Sequence, residues 1–291
     1  MADRLVRGLV PALGLRAMYV RLTDTARIAR MLHGLYPTAA HLFAEAMAGA
    51  LLVAALQKER SRINLQIECD GPVRGLFADA DQDGNVRGYI RNAEVNFPGD
   101  ADAGARAALG GKGFISVLRD LGGGQFYRGQ VELRAMDLSQ DLGRYFSDSE
   151  QVLTALDLRV FPRADERLGE VAGVLLQRLP DGDEGAVEAA RRRLSAGALA
   201  EALAAGANPQ GVLAAAAGAP FDLLADTEVA YRCGCSHERA RVAVSALGRE
   251  GVLDVLAKER EAVITCEFCR QRYVVGPEEL EDIARRLAES A

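Results

Sequence analysis

Four of the five cysteines in this 291-residue chain form two close pairs near its C-terminal end. Cys233 and Cys235 form a C-x-C pair, and Cys266 and Cys269 form a C-x-x-C pair. Two such pairs, brought together by the segment between them, can supply four thiolates to one tetrahedral zinc ion. A site with four cysteine ligands has no open coordination position, so the pattern does not indicate a hydrolytic zinc centre.

Two other residues bear on this chemistry. His237 follows Cys235 by two residues and could compete as a ligand, but four cysteines already complete a tetrahedron, so we expect it beside the site or at the surface. Cys69 lies in an alternating apolar stretch, where we expect a buried and unreactive thiol. The chain has only three histidines, no serine–histidine–acid arrangement is predicted, and we expect no enzymatic activity.

The chain carries no visible secretory signal, because its first residues lack an apolar core followed by a small-residue cleavage site. We therefore expect a cytoplasmic protein, in which close cysteine pairs serve as metal ligands or redox groups rather than structural disulfides. The segment after Thr227 is short and can bury little apolar surface. A structural zinc contributes about 10–16 kcal/mol in small metal-folded peptides, so we expect metal loss to unfold this segment.

Composition is ordinary for a soluble globular protein, with 49% hydrophobic and 26% charged residues. The formal net charge of -6 argues against sequence-independent binding to nucleic acid, which needs clustered Lys and Arg. The most apolar run, Ala39 to Leu56, is interrupted by His41 and Glu45. It is typical of a buried helix rather than a membrane span.

The remaining patterns predict an α+β fold, in which helices pack on an antiparallel sheet. A helix is predicted from Thr38 to Gln57, a strand at Ile63–Cys69, a mostly helical segment from Leu138 to Leu156, and a final helix from Pro277 to Ala288. Further extended segments are predicted at Val73–Ala80, Val86–Ile90, Gly113–Leu121, Phe126–Leu133, Leu156–Phe161 and Gly169–Leu179, the first four of them as two hairpins, the second hairpin turning at Gly122–Gly124.

Changes in amino-acid composition along the chain predict three regions. Residues 1–180 are predicted to form the N-terminal α+β domain, residues 181–226 a helical linker, and residues 227–291 a small zinc-binding domain. From Ala186 to about Pro220 the chain is rich in alanine and glycine and poor in large apolar residues. Helices there would pack weakly, so we expect a linker of low stability.

The cysteine region resembles a known family. The stretch Glu228–Arg239, followed by Cys266-Glu-Phe-Cys269 and Tyr273, is similar to the zinc-centre domain of the thirty-three-kilodalton heat shock protein family, the redox-regulated holdase chaperones of bacteria. The resemblance extends through the N-terminal region in the right order, at Cys69–Pro72, Val86–Gly88, Tyr127–Gly129 and Tyr145–Gln151.

This resemblance implies a mechanism. In reduced members the four cysteines hold zinc and the chaperone is inactive. Oxidants combined with unfolding conditions form the disulfides Cys233–Cys235 and Cys266–Cys269, zinc leaves, and the linker and zinc domain unfold. The exposed apolar surface binds unfolding or aggregating client proteins without ATP, and the active form is a homodimer.

One residue departs from the family pattern. Family members often have glycine directly after the second C-x-x-C cysteine, where this chain has Arg270. A positive charge beside a thiolate favours the ionised form, so the oxidation threshold is expected to shift, and a special turn geometry could be lost.

Other functions remain open at this stage. The segment from Thr227 to Ala291 has ten Lys and Arg against twelve Asp and Glu, a poor match for a nucleic-acid-binding zinc module. A thiol–disulfide oxidoreductase could use Cys266 and Cys269, but the βαβ context typical of such enzymes is not predicted. A zinc-bound protein or chaperone without redox gating is a further alternative.

Asp79–Asn85 and Gly110–Gly113, which mimic calcium and phosphate loops, are predicted to be a hairpin tip and a turn.

Overall fold

A computed structural model describes residues 2–57, 61–120, 124–162 and 168–289 of the chain. The chain divides into two compact units, Met1–Arg232 and Cys233–Ala291. The turn predicted around Gly122–Gly124 lies largely outside the described residues.

The first unit contains two sheets and seven helices within the described residues. In chain order its elements are β1 (Arg4–Val10), β2 (Leu15–Arg21), α1 (Thr23–His33), α2 (Pro37–Ala55), β3 (Arg62–Cys69), β4 (Gly75–Asp81), β5 (Asn85–Ile90), α3 (Ala101–Leu109), β6 (Gly113–Asp120), β7 (Phe126–Glu132), α4 (Leu138–Asp148), β8 (Thr154–Pro162), β9 (Leu168–Arg178), α5 (Glu184–Ser195), α6 (Ala198–Ala204), α7 (Pro209–Ala217), β10 (Asp222–Glu228) and β11 (Ala230–Tyr231).

The two sheets confirm the predicted α+β class. One has the strand order β10-β1-β2-β9-β8, and the other has the order β11-β5-β4-β3-β6-β7. All neighbouring strands run antiparallel except β11, a two-residue strand that pairs parallel with β5. Chain-local hairpins supply most of these pairs, in keeping with the predicted turns.

Helix α2 forms the centre of the first unit. Its alanine- and leucine-rich sequence favours a helix, and Pro37 lies in the first turn, where its missing N–H costs nothing. Nearly every residue of α2 is buried, in a core that also contains Val20 from one sheet and Leu65 from the other. Of the described helices, α2 alone is long and apolar enough to cross a bilayer, and 94% of its apolar window is buried inside the fold.

The alanine-rich segment is helical, as predicted, but its few large apolar residues are well packed. Helices α5, α6 and α7 place them against one face of the first sheet. Five of them are at most 3% exposed: Val187, Leu194, Leu199, Val212 and Leu213. Composition alone underestimated this packing, because the few large apolar side chains of the segment all join one cluster with residues of the first sheet.

One sequence prediction needs correction, and one hairpin was missed. The helix expected over Leu138–Leu156 ends at Asp148, and β8 begins at Thr154. Gln151 between them has φ +56°, a left-handed conformation that interrupts helical geometry. The N-terminal hairpin of β1 and β2, joined by the 3₁₀ turn Pro11–Leu13, was not predicted.

The second unit is built from α8 (His237–Ser245), α9 (Gly248–Lys258), the antiparallel pair β12 (Ala262–Thr265) and β13 (Arg272–Val275), and α10 (Pro277–Glu289). The predicted final helix is therefore confirmed. The buried apolar cluster is small and consists of Val244, Val252, Val275, Leu280, Ile283 and Ala284.

Candidate metal centre

The two cysteine pairs lie on two short, well-defined backbone segments. Cys233 and Cys235 come directly before α8, whose N-cap Ser236 accepts a hydrogen bond from the backbone N–H of Arg239 at 3.2 Å. This cap fixes the first turn of the helix next to the cysteines. Cys266 and Cys269 lie in the turn that joins β12 to β13.

Backbone hydrogen bonds close the turn around the second pair. The N–H of Arg270 donates to the carbonyl of Cys266 at 2.9 Å, and the N–H of Cys266 donates to the carbonyl of Gln271 at 2.9 Å. The paired strand ends, Thr265 and Arg272, hold the base of this turn. The turn thus brings both sulfur atoms of the C-x-x-C pair to one side.

The four sulfur atoms converge. All lie within 4.8 Å of one another, and each cysteine is half-buried. The Sγ atoms of Cys233 and Cys266 are 3.7 Å apart, and those of Cys235 and Cys269 are 3.3 Å apart. A tetrahedral zinc with Zn–S bonds of about 2.3 Å places its sulfur ligands about 3.8 Å apart. The observed spacing therefore fits a zinc ion with small side-chain shifts.

The electrostatics of this cluster favour a cation. Burial raises the pKa of Cys269 to about 12, and hydrogen bonds with the sulfurs of Cys235, Cys233 and Cys266 act in the same direction. Four thiolates at these distances repel one another, so a divalent cation is needed for all of them to ionise. The donor set, four soft sulfurs without a carboxylate among them, suits zinc.

Tyr273 contacts the cluster directly. Its hydroxyl donates to Sγ of Cys235 at 3.0 Å, and this bond raises the pKa of the tyrosine to about 12. Hydrogen bonds to ligand sulfurs orient a metal's ligands and tune the site. In the sequence, Tyr273 stands out only through the family resemblance, and its spacing from Cys235 gives no sign of the contact.

His237 is not part of the four-sulfur cluster and pairs with a carboxylate instead. Its Nε2 lies 2.8 Å from Oε1 of Glu279 on α10, and the side chain is 46% exposed. Arg241 on α8 pairs with Asp282 at 2.9 Å, also on α10. These pairs join the two helices of the second unit that flank the cysteines.

Arg270 adopts the left-handed turn conformation, although it stands where family members often have glycine. Its φ is +59°, in the left-handed region that glycine occupies without cost. A residue with a Cβ pays roughly 1–2 kcal/mol there. The guanidinium lies 3.3 Å from Oε2 of Glu267, an exposed pair that offsets little of this cost.

The other sequence candidates belong to the first unit. Cys69, at the end of β3, is half-buried rather than fully buried, and burial raises its pKa. Asp81 lies at the β4–β5 hairpin, where its Oδ1 accepts from the backbone of Asp83 and Asn85, so the calcium-like motif is a hairpin tip. In the glycine-rich turn before β6, the backbone N–H groups of Gly111 and Lys112 donate to Oδ1 of Asp70.

Comparison with known proteins places the chain in a family. The model of the Hsp33 protein family matches residues 3–276. The 33 kDa chaperonin of Geobacter sulfurreducens is 35% identical over 97% of this chain and 94% of its own length. That of Bacillus subtilis is 31% identical over 97% of this chain and 98% of its own length.

A solved structure agrees with these sequence matches. The crystal structure of the 33 kDa chaperonin, a heat shock protein 33 homologue, from Thermotoga maritima superposes with a TM-score of 0.89 and 28% identity. The match covers 99% of this chain and 100% of the other. The chain belongs to the Hsp33 protein family.

Proposed function

We propose that this protein is an ATP-independent holdase chaperone that oxidation switches on. It binds unfolding proteins and prevents their aggregation during oxidative stress, and it does so in the bacterial cytoplasm. The observation that carries the proposal is the convergence of four sulfur atoms within 4.8 Å in a unit with only a small apolar core. Such a unit depends on its thiols for its fold, so thiol chemistry can control it.

In the reduced form, Cys233, Cys235, Cys266 and Cys269 would together hold one zinc ion. The ion, when bound, supplies the positive charge that lets four neighbouring thiolates coexist. The chain contributes the two turns that aim the sulfurs and the Tyr273 hydroxyl that orients Cys235. Closed four-sulfur coordination leaves no position for a substrate, so the site serves folding and sensing rather than catalysis.

Oxidation would remove the ligand set. One molecule of hydrogen peroxide per cysteine pair accepts two electrons and two protons, so each pair yields one disulfide and two molecules of water. We propose the pairing Cys233–Cys235 and Cys266–Cys269, following the family. The sulfur contacts of 3.7 Å and 3.3 Å run across the pairs instead, so peptide mapping by mass spectrometry is the decisive test of the pairing.

The second part of the switch would be the helical linker within residues 181–226. Helices α5–α7 cover an apolar face of the first sheet that includes Val6, Leu15, Tyr19 and Leu176. If these helices detach after the second unit unfolds, that face becomes available to the apolar segments of a client. Self-association of the exposed face would explain a homodimer as the active form.

A single titration tests this proposal. Hydrogen peroxide is added to the zinc-loaded, reduced chain at mildly elevated temperature, and metal release and aggregation of a denatured client are followed together. We expect metal release to precede suppression of aggregation, with Cys69→Ser behaving like the wild type. Metal release without any suppression of aggregation would rule out the chaperone assignment.

A constitutive chaperone without redox gating is the second candidate. It is favoured by the near-complete burial of Leu199 and Leu213 in the linker, which indicates helices that resist detachment. Full client protection by the reduced, metal-bound chain would select it. Steady turnover of a disulfide substrate would instead indicate a thiol–disulfide oxidoreductase.

A further inference from the structure

The first unit contains a polar groove. Its volume is 490 Å³, and α2, α3, α4, β8 and α5 form its walls. This volume is in the range of sites that bind small molecules. The proposed switch assigns no role to this groove, although α5, which forms one wall, belongs to the linker.

Buried polar atoms without hydrogen-bond partners are concentrated in its walls. Of the six such side-chain atoms among the described residues, three belong to groove residues: Nε2 of His41, Nε of Arg144 and Oδ2 of Asp157. His41 and Asp157 are each only 5% exposed. Folded proteins rarely leave such groups unsatisfied, so a partner outside the protein is expected.

Carboxylates outnumber the available cations at the end of the groove near α2. Oδ1 of Asp157 binds Nε of Arg159 at 2.8 Å, which leaves Oδ2 unmatched. Oε1 of Glu45 and Oδ1 of Asp102 lie 3.4 Å and 3.8 Å from Nε2 of His41. The missing partner at this end is therefore a positive charge.

The remaining charges of the groove do not change this balance. Two arginines of the groove, Arg144 and Arg191, pair with carboxylates that do not line it. Arg144 pairs with Asp141 and Asp148, and Arg191 pairs with Glu188. The other lining charges are Asp137 and the exposed Arg106, which offset one another.

The titration behaviour of the buried groups agrees with an uncompensated acidic site. Burial raises the pKa of Asp157 to about 6, against the lowering effect of Arg159. Burial lowers the pKa of His41, but the carboxylates of Glu45 and Asp102 outweigh it and the net shift is upward. Perturbed groups that share a cavity are typical of binding sites.

We propose that this end of the groove binds the ammonium group of a small aliphatic amine. The N–H groups donate to the carboxylates of Asp157 and Glu45, and the methylene chain packs along the partly exposed Met136 and Leu156. Oδ2 of Asp157 is covered by neighbouring atoms, so binding includes a rotation of that carboxyl group. The proposal concerns the first unit alone and does not depend on the metal centre.

Calorimetric titration of the full-length, zinc-loaded, reduced chain with 1,4-diaminobutane tests the proposal. We expect a dissociation constant on the order of 1 mM and no binding of succinate, a dianion of similar length. Nα-acetyl-lysine amide carries the same ammonium group. If it binds more tightly than the diamine, the groove recognises lysine side chains of polypeptides; weaker binding assigns it to free amines.

Two variants and a control locate the site. Asp157→Asn should weaken diamine binding about tenfold or more, because it removes a charge-assisted hydrogen bond, and Glu45→Gln should weaken it severalfold. Asp24→Asn removes an exposed carboxylate of α1, outside the groove, and should change nothing. Glu45→Gln keeps the test valid if Asp157→Asn fails to fold.

Three results would overturn the proposal: no binding of either amine, equal binding of succinate, or diamine binding that both groove variants leave intact. The first would mean that water alone satisfies His41 and Asp157.

Discussion

The two units of this protein reach a stable fold by different means. The first buries α2 between two sheets, with Leu51 and Leu52 fully inaccessible at its centre. The second has a small apolar cluster around Val252 and gathers four thiols beside it. A core of the first kind folds whatever the state of the thiols, whereas the second kind folds with its metal. Under the proposed function, oxidation would therefore unfold the second unit and leave the first unit folded.

Loss of a cysteine ligand should have the largest effect. Cys269→Ser leaves three sulfurs, and because metal binding supplies up to about 10–16 kcal/mol of folding free energy in small metal domains, we expect the second unit to unfold. The first unit should keep its structure. Hydrogen exchange resolved by peptide measures both, and Cys69→Ser serves as the control. Equal destabilisation of the two units would show that the second unit does not depend on the metal more than the first.

Weakening of the linker should have the next largest effect. Leu213→Ala in α7 removes a fully buried side chain and should destabilise the packing of the linker helices by about 2–5 kcal/mol. The variant should protect a client at lower temperature or lower peroxide than the wild type. Leu224→Ala changes a side chain in β10 that is 67% exposed and should behave like the wild type. If Leu213→Ala protects the client only at the same temperature and peroxide concentration as the wild type, the linker is not part of the switch.

A buried carboxyl group makes the first unit sensitive to pH. The pKa of Asp157 is raised to about 6 in the fold, mainly by burial, against about 3.9 in the unfolded chain. The folded state therefore binds the proton more tightly, and its stabilising contribution is complete below pH 4 and lost as the pH rises through 6.

Asp157→Asn removes this dependence. Thermal unfolding should show the first unit of the variant more stable than the wild type at pH 8, by up to about 3 kcal/mol, and equally stable at pH 4. The loss of the Arg159 contact reduces the gain. A wild-type stability that does not fall between pH 4 and pH 7 relative to the variant would contradict the assigned shift.

The smallest expected effect concerns Arg270. Arg270→Gly removes the left-handed strain at φ +59° and should slow metal loss to a chelator by about fivefold, from about 1 kcal/mol. Arg270→Ala removes the charge but keeps the strain, so it should resemble the wild type. If the alanine variant matches the glycine variant, charge rather than backbone strain sets the rate.

Local sequence patterns predicted the helices and strands whose structure depends mainly on their own residues. Helix α2 follows from its run of alanine and leucine, and β3 from the alternation of Ile63, Leu65 and Ile67. The cysteine spacing identified the candidate cluster, because close pairs of thiols in a reduced chain have few other uses.

Features that depend on distant parts of the chain were not predictable. The β1–β2 hairpin is held partly by β10, more than two hundred residues away along the chain, through pairs such as Arg4 with Glu228. The amine-binding groove combines side chains from five elements, and no local pattern links His41 to Asp157. The Tyr273 contact with Cys235 likewise joins two turns that only the fold brings together.

Peptide-resolved hydrogen exchange before and after chelation shows whether the fold of the second unit depends on its metal. We expect the purified, reduced protein to contain one zinc ion per chain. Removal of the ion should bring amides of α9, β12 and α10 to the exchange rates of an unfolded chain, while α2 stays protected. A second unit that keeps its protection after metal loss, or a reduced protein that never bound zinc, would contradict this dependence.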